Sequence, residues 1–232
     1  MKALEIDGVT KYFGDFPALR DIQLSIEPGS ALALLGRNGA GKTTLLRILA
    51  GLSRPSKGSV RILGKNVREE ETRRRIGVLG HSIGIYDEFS AEENLMLFAR
   101  MYGLANPRMK ADEWLDRTGL AHVRDGLVRE FSRGMRQRLA VARAFIHDPE
   151  VLLFDEPFTS LDDRAIAVLQ DLLRGAREQG RTVIMSTHQL REALELSTHV
   201  ALLKRGAIAY SGERLQEMLD DTGWLYRNYG DA

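Results

Sequence analysis

The chain contains no cysteine among its 232 residues. This absence excludes a disulfide framework, a thiolate metal site and a cysteine nucleophile, and it is typical of a reducing cytosol. Any metal ion must therefore be bound by oxygen or imidazole ligands. Long uncharged apolar runs are also absent, since none approaches the roughly 18 residues that span a bilayer. Glu5 and Asp7 stand where a signal peptide would be apolar. We therefore expect any membrane role to depend on another polypeptide.

Neither sign of charge is in excess, because 33 basic side chains stand against 32 acidic ones and the net charge is +1. No strong field favours nucleic acid or an anionic membrane, and we expect no nucleic-acid partner. Internal repeats and low-complexity segments are absent too. The length suits one large domain or two small ones and is sufficient to bury a sizeable core.

The most specific motif is a phosphate-binding loop, which reads Gly36-Arg37-Asn38-Gly39-Ala40-Gly41-Lys42-Thr43. In such a loop, glycines let backbone N–H groups surround an anionic oxygen, the lysine reaches the β- and γ-phosphates, and the threonine hydroxyl can ligate Mg²⁺. A strand predicted at 31–35 leads into the loop, and Thr44 continues a helix whose positive dipole end would face the phosphates. A Gly-rich turn that matches by chance would be the simpler explanation, and the flanking strand and helix disfavour it.

The hydrophobic patterns predict an α/β architecture. Solidly apolar runs predict strands of a covered parallel sheet at 31–35, 76–79, 151–154, 182–186 and 200–203. Alternating or β-branched runs predict antiparallel strands at 4–8, 19–26 and 59–63. Helical patterns alternate with the parallel strands at 43–50, 162–178 and 189–196.

A long section between the strands ending at 79 and beginning at 151 has no strong strand pattern. It contains helical patterns at 91–102, 108–118 and 133–146, so we predict a helical insertion at about 85–149. The tail at 213–232 is predicted to be a short helix carrying Trp224, Tyr226 and Tyr229. Such aromatic side chains more often cap a core than contact a partner.

Two carboxylates, Asp155 and Glu156, follow the apolar strand predicted at 151–154. The carboxyl ends of strands are where open α/β sheets carry their ligand chemistry. Asp155 can hold Mg²⁺ through water, and Glu156 can orient or deprotonate an attacking water. A strand that ends in a solvated Asp-Glu pair is common. Phosphoryl transfer, however, needs a phosphate cradle, a metal and a positioned nucleophile together, so the pair and the phosphate loop support each other.

A further helix begins in the segment Phe131-Ser132-Arg133-Gly134-Met135-Arg136-Gln137-Arg138. Ser132 is its expected N-cap, and apolar residues recur at helical spacing as far as Ile146. A capped surface helix would explain this pattern. Gly134 in the first turn favours another interpretation, in which a phosphate approaches the backbone closely where the side chain is missing.

The chain resembles the nucleotide-binding subunit of an ABC transporter along essentially its whole length, because its motifs occur in that family's order. These motifs are Tyr12 in Lys11-Tyr12-Phe13-Gly14, the phosphate loop, Gly80-His81-Ser82, the signature segment at 131–135, Asp155-Glu156, Ser160-Leu161-Asp162 and Ser186-Thr187-His188. The resemblance implies one domain, with an α/β ATP-binding core at 1–84 and 150–232 and a helical subdomain at 85–149. It also implies an N-terminal antiparallel β-subdomain, ATP and Mg²⁺ as ligands, and a cytoplasmic location at the inner membrane through a permease.

The resemblance also implies a role for each site residue. Tyr12 would stack on adenine, and Lys42, Glu156 and His188 would be catalytic, with His188 contacting the γ-phosphate and the attacking water. Mg²⁺ would be bound by Thr43 and Asp155, with His81 as a further candidate. In the family two such domains face each other head to tail, so four residues would act in trans on the partner's ATP: Ser132, Gly134, Met135 and Asp162. Without the resemblance, a lone histidine after a strand is more often an ordinary surface or core residue.

Three positions depart from the family pattern. The family usually has glutamine where His81 stands, and glycine and glutamine where Arg133 and Met135 stand. An imidazole nitrogen is a softer Mg²⁺ ligand than an amide oxygen, so His81 can lie near the metal while water fills the ligand position. Arg133 adds a cation near the phosphate, yet Gly134 is kept, and we expect the closed dimer still to form.

Within the family, the Gly80-His81 step, the phrase at 155–159 and the stretch at 91–95 look most like the ATPase of the haem exporter used in cytochrome c maturation. Exporter ATPases for drugs, polysaccharides or lipids share the variants of the signature segment, at Arg133 and Met135, and are the main alternative. A soluble ABC protein acting in translation or DNA repair would need a tandem second domain or a long coiled-coil insertion. A regulatory nucleotide-binding module without turnover is disfavoured by the intact Glu156 and His188. The partners implied are a membrane permease and a second ATPase copy.

Overall fold

Ten strands form two sheets in the computed structural model, which describes residues 1–80, 84–159 and 161–230. The strands are β1 (Leu4–Phe13), β2 (Phe16–Ile26), β3 (Ala31–Leu35), β4 (Lys57–Ile62), β5 (Lys65–Asn66), β6 (Ile76–Leu79), β7 (Val151–Asp155), β8 (Thr182–Ser186), β9 (His199–Lys204) and β10 (Ala207–Glu213). The first sheet has the order β2-β1-β4-β5, and the second has the order β10-β9-β3-β8-β7-β6.

Nine α-helices connect or follow these strands in the described residues. They are α1 (Lys42–Leu49), α2 (Glu70–Arg74), α3 (Ala91–Met101), α4 (Pro107–Arg117), α5 (Arg133–Phe145), α6 (Asp163–Glu178), α7 (Leu190–Leu196), α8 (Gln216–Asp220) and α9 (Trp224–Tyr229). Capping side chains begin several of them. Ser90 and Glu93 form a reciprocal capping box at the start of α3, in which each side chain bonds the other's backbone N–H.

The second sheet is parallel except for its last strand. Strands β9, β3, β8, β7 and β6 run parallel, and β10 pairs antiparallel with β9. Every residue of β3, β7 and β8 is buried, which accounts for their solidly apolar sequences. The carboxyl ends of β3, β7 and β8 therefore reach the same edge of the sheet. The phosphate loop follows β3 there, Asp155 is the last residue of β7, and Ser186 is the last residue of β8.

The core lies on both faces of the parallel sheet. On β3, Leu32 and Leu34 pack with Leu45 and Ile48 of α1 and with the antiparallel sheet. The alternate β3 residues Ala31, Ala33 and Leu35 point to the other face, where they join a cluster that includes the helices of the 91–145 section and α6. Because side chains of a strand alternate between faces, one short strand serves both halves of the core.

The predicted helical insertion contains the elements expected for it. Between β6 and β7, the described residues hold α3, α4, α5 and two short 3₁₀ turns, and no strand of either sheet. Trp114 of this section stacks on Phe145 at 4.9 Å between ring centroids, and Phe145 meets Phe154 of β7 edge-on at 5.9 Å. The insertion therefore shares its core with the sheet. The division into a core at 1–84 and 150–232 and a subdomain at 85–149 stays a prediction.

Several predicted boundaries were wrong. The N-terminal strands are longer than predicted because β1 and β2 form one hairpin, in which Phe13 pairs with Phe16. The tail prediction was wrong as well, since Glu213 ends β10 and two helices, α8 and α9, follow. β10 was not predicted from the sequence, because its residues alternate only weakly between exposed and half-buried positions. In the tail, Trp224 and Tyr226 pack against the core, while Tyr229 stays 40% exposed and contacts Tyr210.

Candidate active site

The phosphate loop connects β3 to α1 and is shaped by its glycines. Gly36 has a φ of +151°, and a Cβ there would lie 2.4 Å from the carbonyl oxygen of Leu203. Gly39 has a φ of +79° and no atom within 4 Å of where a Cβ would be. The loop is thus packed tightly against the sheet at its beginning, and at Gly39 it presents bare backbone to open space, as a phosphate cradle requires.

Lys42 is the first residue of α1, one position earlier than predicted for the helix start. The residue is 7% exposed, and its ammonium donates to the carbonyl oxygens of Gly36, at 2.7 Å, and Arg37, at 3.3 Å. Burial lowers the pKa of Lys42, and the nearby carboxylates of Glu156 and Asp155 oppose that shift. The cation therefore lies across the loop, within electrostatic reach of both acidic residues.

Thr43 and Asp155 meet in one small cavity. This cavity of about 180 Å³ lies between α1 and the ends of β6 and β7, and its lining includes Thr43, Gly80 and Asp155. Thr43 is exposed, and Thr44 behind it is half-buried. Asp155 is only 6% exposed, and the hydroxyl of Ser186 donates to its Oδ1. A residue with a hydroxyl and an oriented carboxylate thus line one cavity beside the N-terminus of α1.

Glu156 directly follows β7 in a conformation that is rare for a residue with a side chain. Its φ is +54°, which costs roughly 1–3 kcal/mol unless the surroundings hold it. Its N–H donates to Ser186 O at 2.8 Å. Its Oε2 accepts from the backbone N–H of His188 at 3.3 Å and lies 2.8 Å from His188 Nδ1. The strained backbone turns the carboxylate toward His188, whose own side chain is 62% exposed.

Tyr12 lies in the β1–β2 hairpin, opposite Pro17. Its N–H donates to Ser56 Oγ at 3.0 Å, and its side chain is 44% exposed. The hairpin approaches the phosphate loop directly, because a Cβ on Gly41 would lie 2.8 Å from the carbonyl oxygen of Ala18. The hairpin that carries the exposed Tyr12 thus packs against the loop at Ala18.

The residues predicted to act in trans begin two helices. Ser132 caps α5 by accepting from Met135 N at 3.2 Å, as predicted, with Gly134 and Met135 in the first turn. Asp162 caps α6 by accepting from Ala165 N at 2.8 Å. These side chains are thus held by their own helices. His81, predicted to lie near the metal, and Ser160 of the Ser160-Leu161-Asp162 motif lie outside the residues that the structure describes.

Comparison with known proteins identifies the family. The family profile described as ABC transporter matches residues 19–159. The chain is 40% identical over 200 residues to the ABC transporter ATP-binding protein NatA of Bacillus subtilis (strain 168), covering 84% of this chain and 81% of that protein. It belongs to the ABC transporter ATP-binding family. Since domains of this family hydrolyse ATP, the chain is an ATPase, and it is the ATPase subunit of an ABC transporter.

Further relatives are similar over comparable lengths. The daunorubicin resistance ATP-binding protein DrrA3 of Streptomyces coeruleorubidus is 39% identical, covering 95% of this chain and 71% of that protein. Among solved structures, the ATP-binding cassette MJ0796 as a dimer in a post-hydrolysis state, bound to ADP and Pi, is 27% identical with a TM-score of 0.84. The match covers 91% of this chain and 99% of that one. The predicted α/β fold with an antiparallel N-terminal sheet is confirmed.

The narrower prediction of haem export is not supported by these relatives. Their names concern other substrates, such as daunorubicin resistance, Nod factor export and bacitracin transport. The alternative, an ABC ATPase for another substrate, fits them better. The three similarities that suggested haem, at 80–81, 91–95 and 155–159, are short and are therefore weaker evidence than identity over 200 residues.

Two anchoring residues of this ABC ATPase were not recognised from the sequence. Ser186 was noted only as part of a motif, yet its hydroxyl orients Asp155. The register could have revealed this contact, because Asp155 and Ser186 are paired at the ends of neighbouring strands. Gln137 is the second anchor: its Nε2 donates to Pro157 O at 3.0 Å and links α5 to the segment after Glu156.

Two features are absent from the described residues. No helix within 1–80, 84–159 or 161–230 is long and apolar enough to cross a membrane. Within the same ranges, no group of three or more histidine, cysteine, aspartate or glutamate side chains could hold a metal ion by itself.

Proposed function

We propose that this ABC ATPase binds Mg-ATP on the phosphate loop, hydrolyses it with Glu156 and His188, and uses the resulting cycle to power a membrane permease. The observation that carries this proposal is the position of the Glu156 carboxylate. It lies 2.8 Å from His188 Nδ1 and within electrostatic reach of the Lys42 ammonium. A general base, a γ-phosphate contact and a phosphate-binding cation thus converge on one edge of the sheet.

Nucleotide binding is assigned to the loop and the N-terminal hairpin. The backbone N–H groups of the loop would surround the phosphates, and Lys42 would exchange its carbonyl partners for phosphate oxygens. We assign Tyr12 to stacking on the adenine, because it is exposed on the hairpin that approaches the loop at Ala18. The ATP contacts would come from Tyr12 and from residues 36–44: Gly36, Arg37, Asn38, Gly39, Ala40, Gly41, Lys42, Thr43 and Thr44.

The donor set fits Mg²⁺. This ion is usually bound through one or two protein oxygens while water and substrate phosphates complete its octahedron. Thr43 offers a hydroxyl and Asp155 a carboxylate in one cavity, and the Ser186 hydroxyl fixes the Asp155 oxygen that it contacts. These two residues would hold the ion, which when bound supplies charge neutralisation at the phosphates. His81 remains a further candidate.

Hydrolysis would depend on positioning and on electrostatics. Glu156 would orient and deprotonate the attacking water, His188 would donate to the γ-phosphate, and Lys42 would stabilise the charge that develops on the phosphate oxygens. The positive φ of Glu156 supports this assignment, since backbone strain of this kind is concentrated at functional sites. A regulatory module without turnover would have no need of this arrangement.

The site would be completed by a second copy of the chain. Ser132 and Gly134 begin a helix, and a helix N-terminus favours an anion. We assign them, with Met135, to the γ-phosphate of the facing copy, and Asp162 to the coupling of the two sites. A related cassette is a dimer in its post-hydrolysis state, which supports the pairing of two copies.

The transported substrate is assigned to a class other than haem. Relatives that are 36–39% identical carry names of daunorubicin resistance, Nod factor export and bacitracin transport. We propose export of a drug, lipid or polysaccharide through a membrane permease that also holds this ATPase at the cytoplasmic face of the inner membrane.

Two measurements test the proposal. The first is phosphate release by purified protein with Mg-ATP, which must be abolished in Glu156→Gln but not in Glu150→Gln, a control at the opposite end of β7. The second is a pull-down from solubilised membranes with tagged Glu156→Gln protein and Mg-ATP. We expect a polytopic permease to be retained. Ribosomes, DNA or a haem-handling membrane protein would contradict the proposal.

A further inference from the structure

Two polar side chains near the end of α5 have no part in the proposed chemistry. Arg143 and His147 lie four residues apart and face β6, the edge strand of the parallel sheet. Arg143 Nη2 donates to Val78 O at 2.6 Å, and His147 Nε2 lies 3.1 Å from Ile76 O. Because a carbonyl oxygen can only accept, Nε2 must carry the proton of the His147 ring.

These two contacts satisfy the free side of an edge strand. The carbonyl of Arg75 accepts from β7, through Val151 N at 3.2 Å. In a strand, carbonyls alternate in direction, so those of Ile76 and Val78 point away from β7. A buried carbonyl without a partner is costly, and here α5 and the residues just after it supply both donors from their side chains. The helix and the strand are therefore joined by two hydrogen bonds of fixed spacing.

The guanidinium of Arg143 is held on three sides. It lies over the Phe98 ring of α3, 5.3 Å from the centroid, and beside Gly84, where a Cβ would come within 2.9 Å of Nη1. No described acidic side chain forms an ion pair with it, and its buried Nε has no hydrogen-bond partner among the described residues. Burial lowers its pKa, in keeping with a cation removed from water. Burying a cation without an acidic partner costs free energy.

The location of Arg143 suggests a function that would explain why this cation is buried. α5 begins at the cap Ser132, which the proposed function assigns to the facing copy's γ-phosphate. β6 leads to Gly80, which lines the cavity shared by Thr43 and Asp155. The guanidinium thus connects the helix that presents Ser132 to the strand that borders the same chain's own nucleotide site.

We propose that Arg143 is a positioning residue for ATP hydrolysis, which fixes α5 on β6 so that the signature segment of one copy and the nucleotide site of the other close together. The inference rests on the proposed function. It requires the planar, multiply donating shape of a guanidinium, because one side chain contacts a carbonyl, an aromatic face and a glycine at once. Lysine would keep the charge and lose this geometry.

The test compares Arg143→Met and Arg143→Lys with Arg138→Met. Arg138 is a matched control on the same helix, since its Nη1 donates to the carbonyl oxygens of Thr118, at 3.1 Å, and Gly119, at 3.3 Å, rather than to a carbonyl of β6. We expect the affinity of the monomer for Mg-ATP to stay within about twofold in all three variants. In both Arg143 variants we expect kcat to fall about tenfold or more, and ATP-dependent dimerisation in a Glu156→Gln background to weaken. Arg138→Met should keep kcat within about twofold.

A fourth variant guards against a folding defect. Gly84→Ala leaves Arg143 in place but puts a methyl group against Nη1 at a φ of +59°, and it should lower kcat in the same direction. Thermal unfolding, followed by circular dichroism, measures stability separately. The inference is overturned if Arg143→Met and Gly84→Ala keep kcat, or if the loss of kcat only follows the folded fraction. A wild-type chain without turnover or dimerisation would overturn the proposed function itself.

Discussion

His188 and Glu156 are joined by a 2.8 Å contact between Nδ1 and Oε2, although they stand 32 positions apart in the chain. The contact arises because β7 and β8 are parallel neighbours whose carboxyl ends coincide, with Glu156 just beyond β7 and His188 two residues beyond β8. The backbone N–H of His188 also donates to the same carboxylate oxygen. The sheet thus fixes a potential base and its neighbouring imidazole in one arrangement.

Substitution of Glu156 by glutamine should abolish turnover and leave nucleotide binding intact. An amide keeps the shape and the N–H contact from His188 but cannot take a proton, so we expect kcat to fall by at least about 100-fold. The affinity for Mg-ATP should change little, and a dimer should accumulate with ATP. Phosphate release and size-exclusion chromatography measure these effects. Turnover close to wild type would remove Glu156 from its assigned role.

Substitution of Ser186 by alanine should weaken the metal site without unfolding the protein. The Asp155 carboxylate would lose a donor and its fixed orientation, so we expect a higher Mg²⁺ requirement and a kcat lower by about 10-fold. Ser197→Ala is the matched control, because this buried serine donates to Leu194 O away from the site. The measurement is ATPase rate against Mg²⁺ concentration. Equal curves for the two variants would contradict the role given to Ser186.

Because His147 is buried, the folded protein should be less stable in mild acid than at neutral pH. Burial lowers the pKa of His147 to about 4, opposed by its bond to Ile76 O and by Asp148 and reinforced by Arg143, whereas an unfolded histidine titrates near 6.5. Between these values the unfolded chain binds more protons than the folded one. The stability conferred by the neutral ring is therefore complete above about pH 6.5 and is lost as the pH falls toward 4.

The measurement is the free energy of unfolding in urea near pH 7.5 and near pH 5. For wild type relative to His147→Gln, we expect about 2 kcal/mol of extra loss at the lower pH. His122→Gln, at a histidine outside the core, should behave as wild type. If wild type and His147→Gln lost stability in parallel, the imidazole would not be buried in its neutral form.

The sequence predicted the structure best at positions where the local conformation or burial requires a particular type of residue. The phosphate loop needs glycine at Gly36 for lack of space and at Gly39 for its positive φ, so the motif and the structure agree closely. Fully buried strands such as β3 could be predicted from their unbroken apolar runs. The cap at Ser132 was likewise predicted from residue type and position.

Other features depended on contacts that no local pattern reveals. Ser186 contacts Asp155 because the two residues are paired in neighbouring strands, and Arg143 bonds an edge-strand carbonyl 65 residues away. β10 forms because β9 offers an edge for pairing, and its own sequence alternates too weakly to predict it. The prediction of haem export is not supported by the relatives. It depended on short similarities around the ATP site, which say little about a substrate that another subunit would bind.

In the dimer that we propose, one copy's phosphate loop and the other copy's signature segment form a single hydrolytic site. The most direct test of this arrangement mixes Lys42→Ala with Ser132→Arg, each carrying a different tag, and isolates the mixed dimer. In a head-to-tail dimer one site then keeps both an intact Lys42 and an intact Ser132, while the other loses both. We predict ATP turnover by the mixed dimer and none by either variant alone. A mixed dimer as inactive as its parents would show that the phosphate loop and the signature segment of different copies do not form one site.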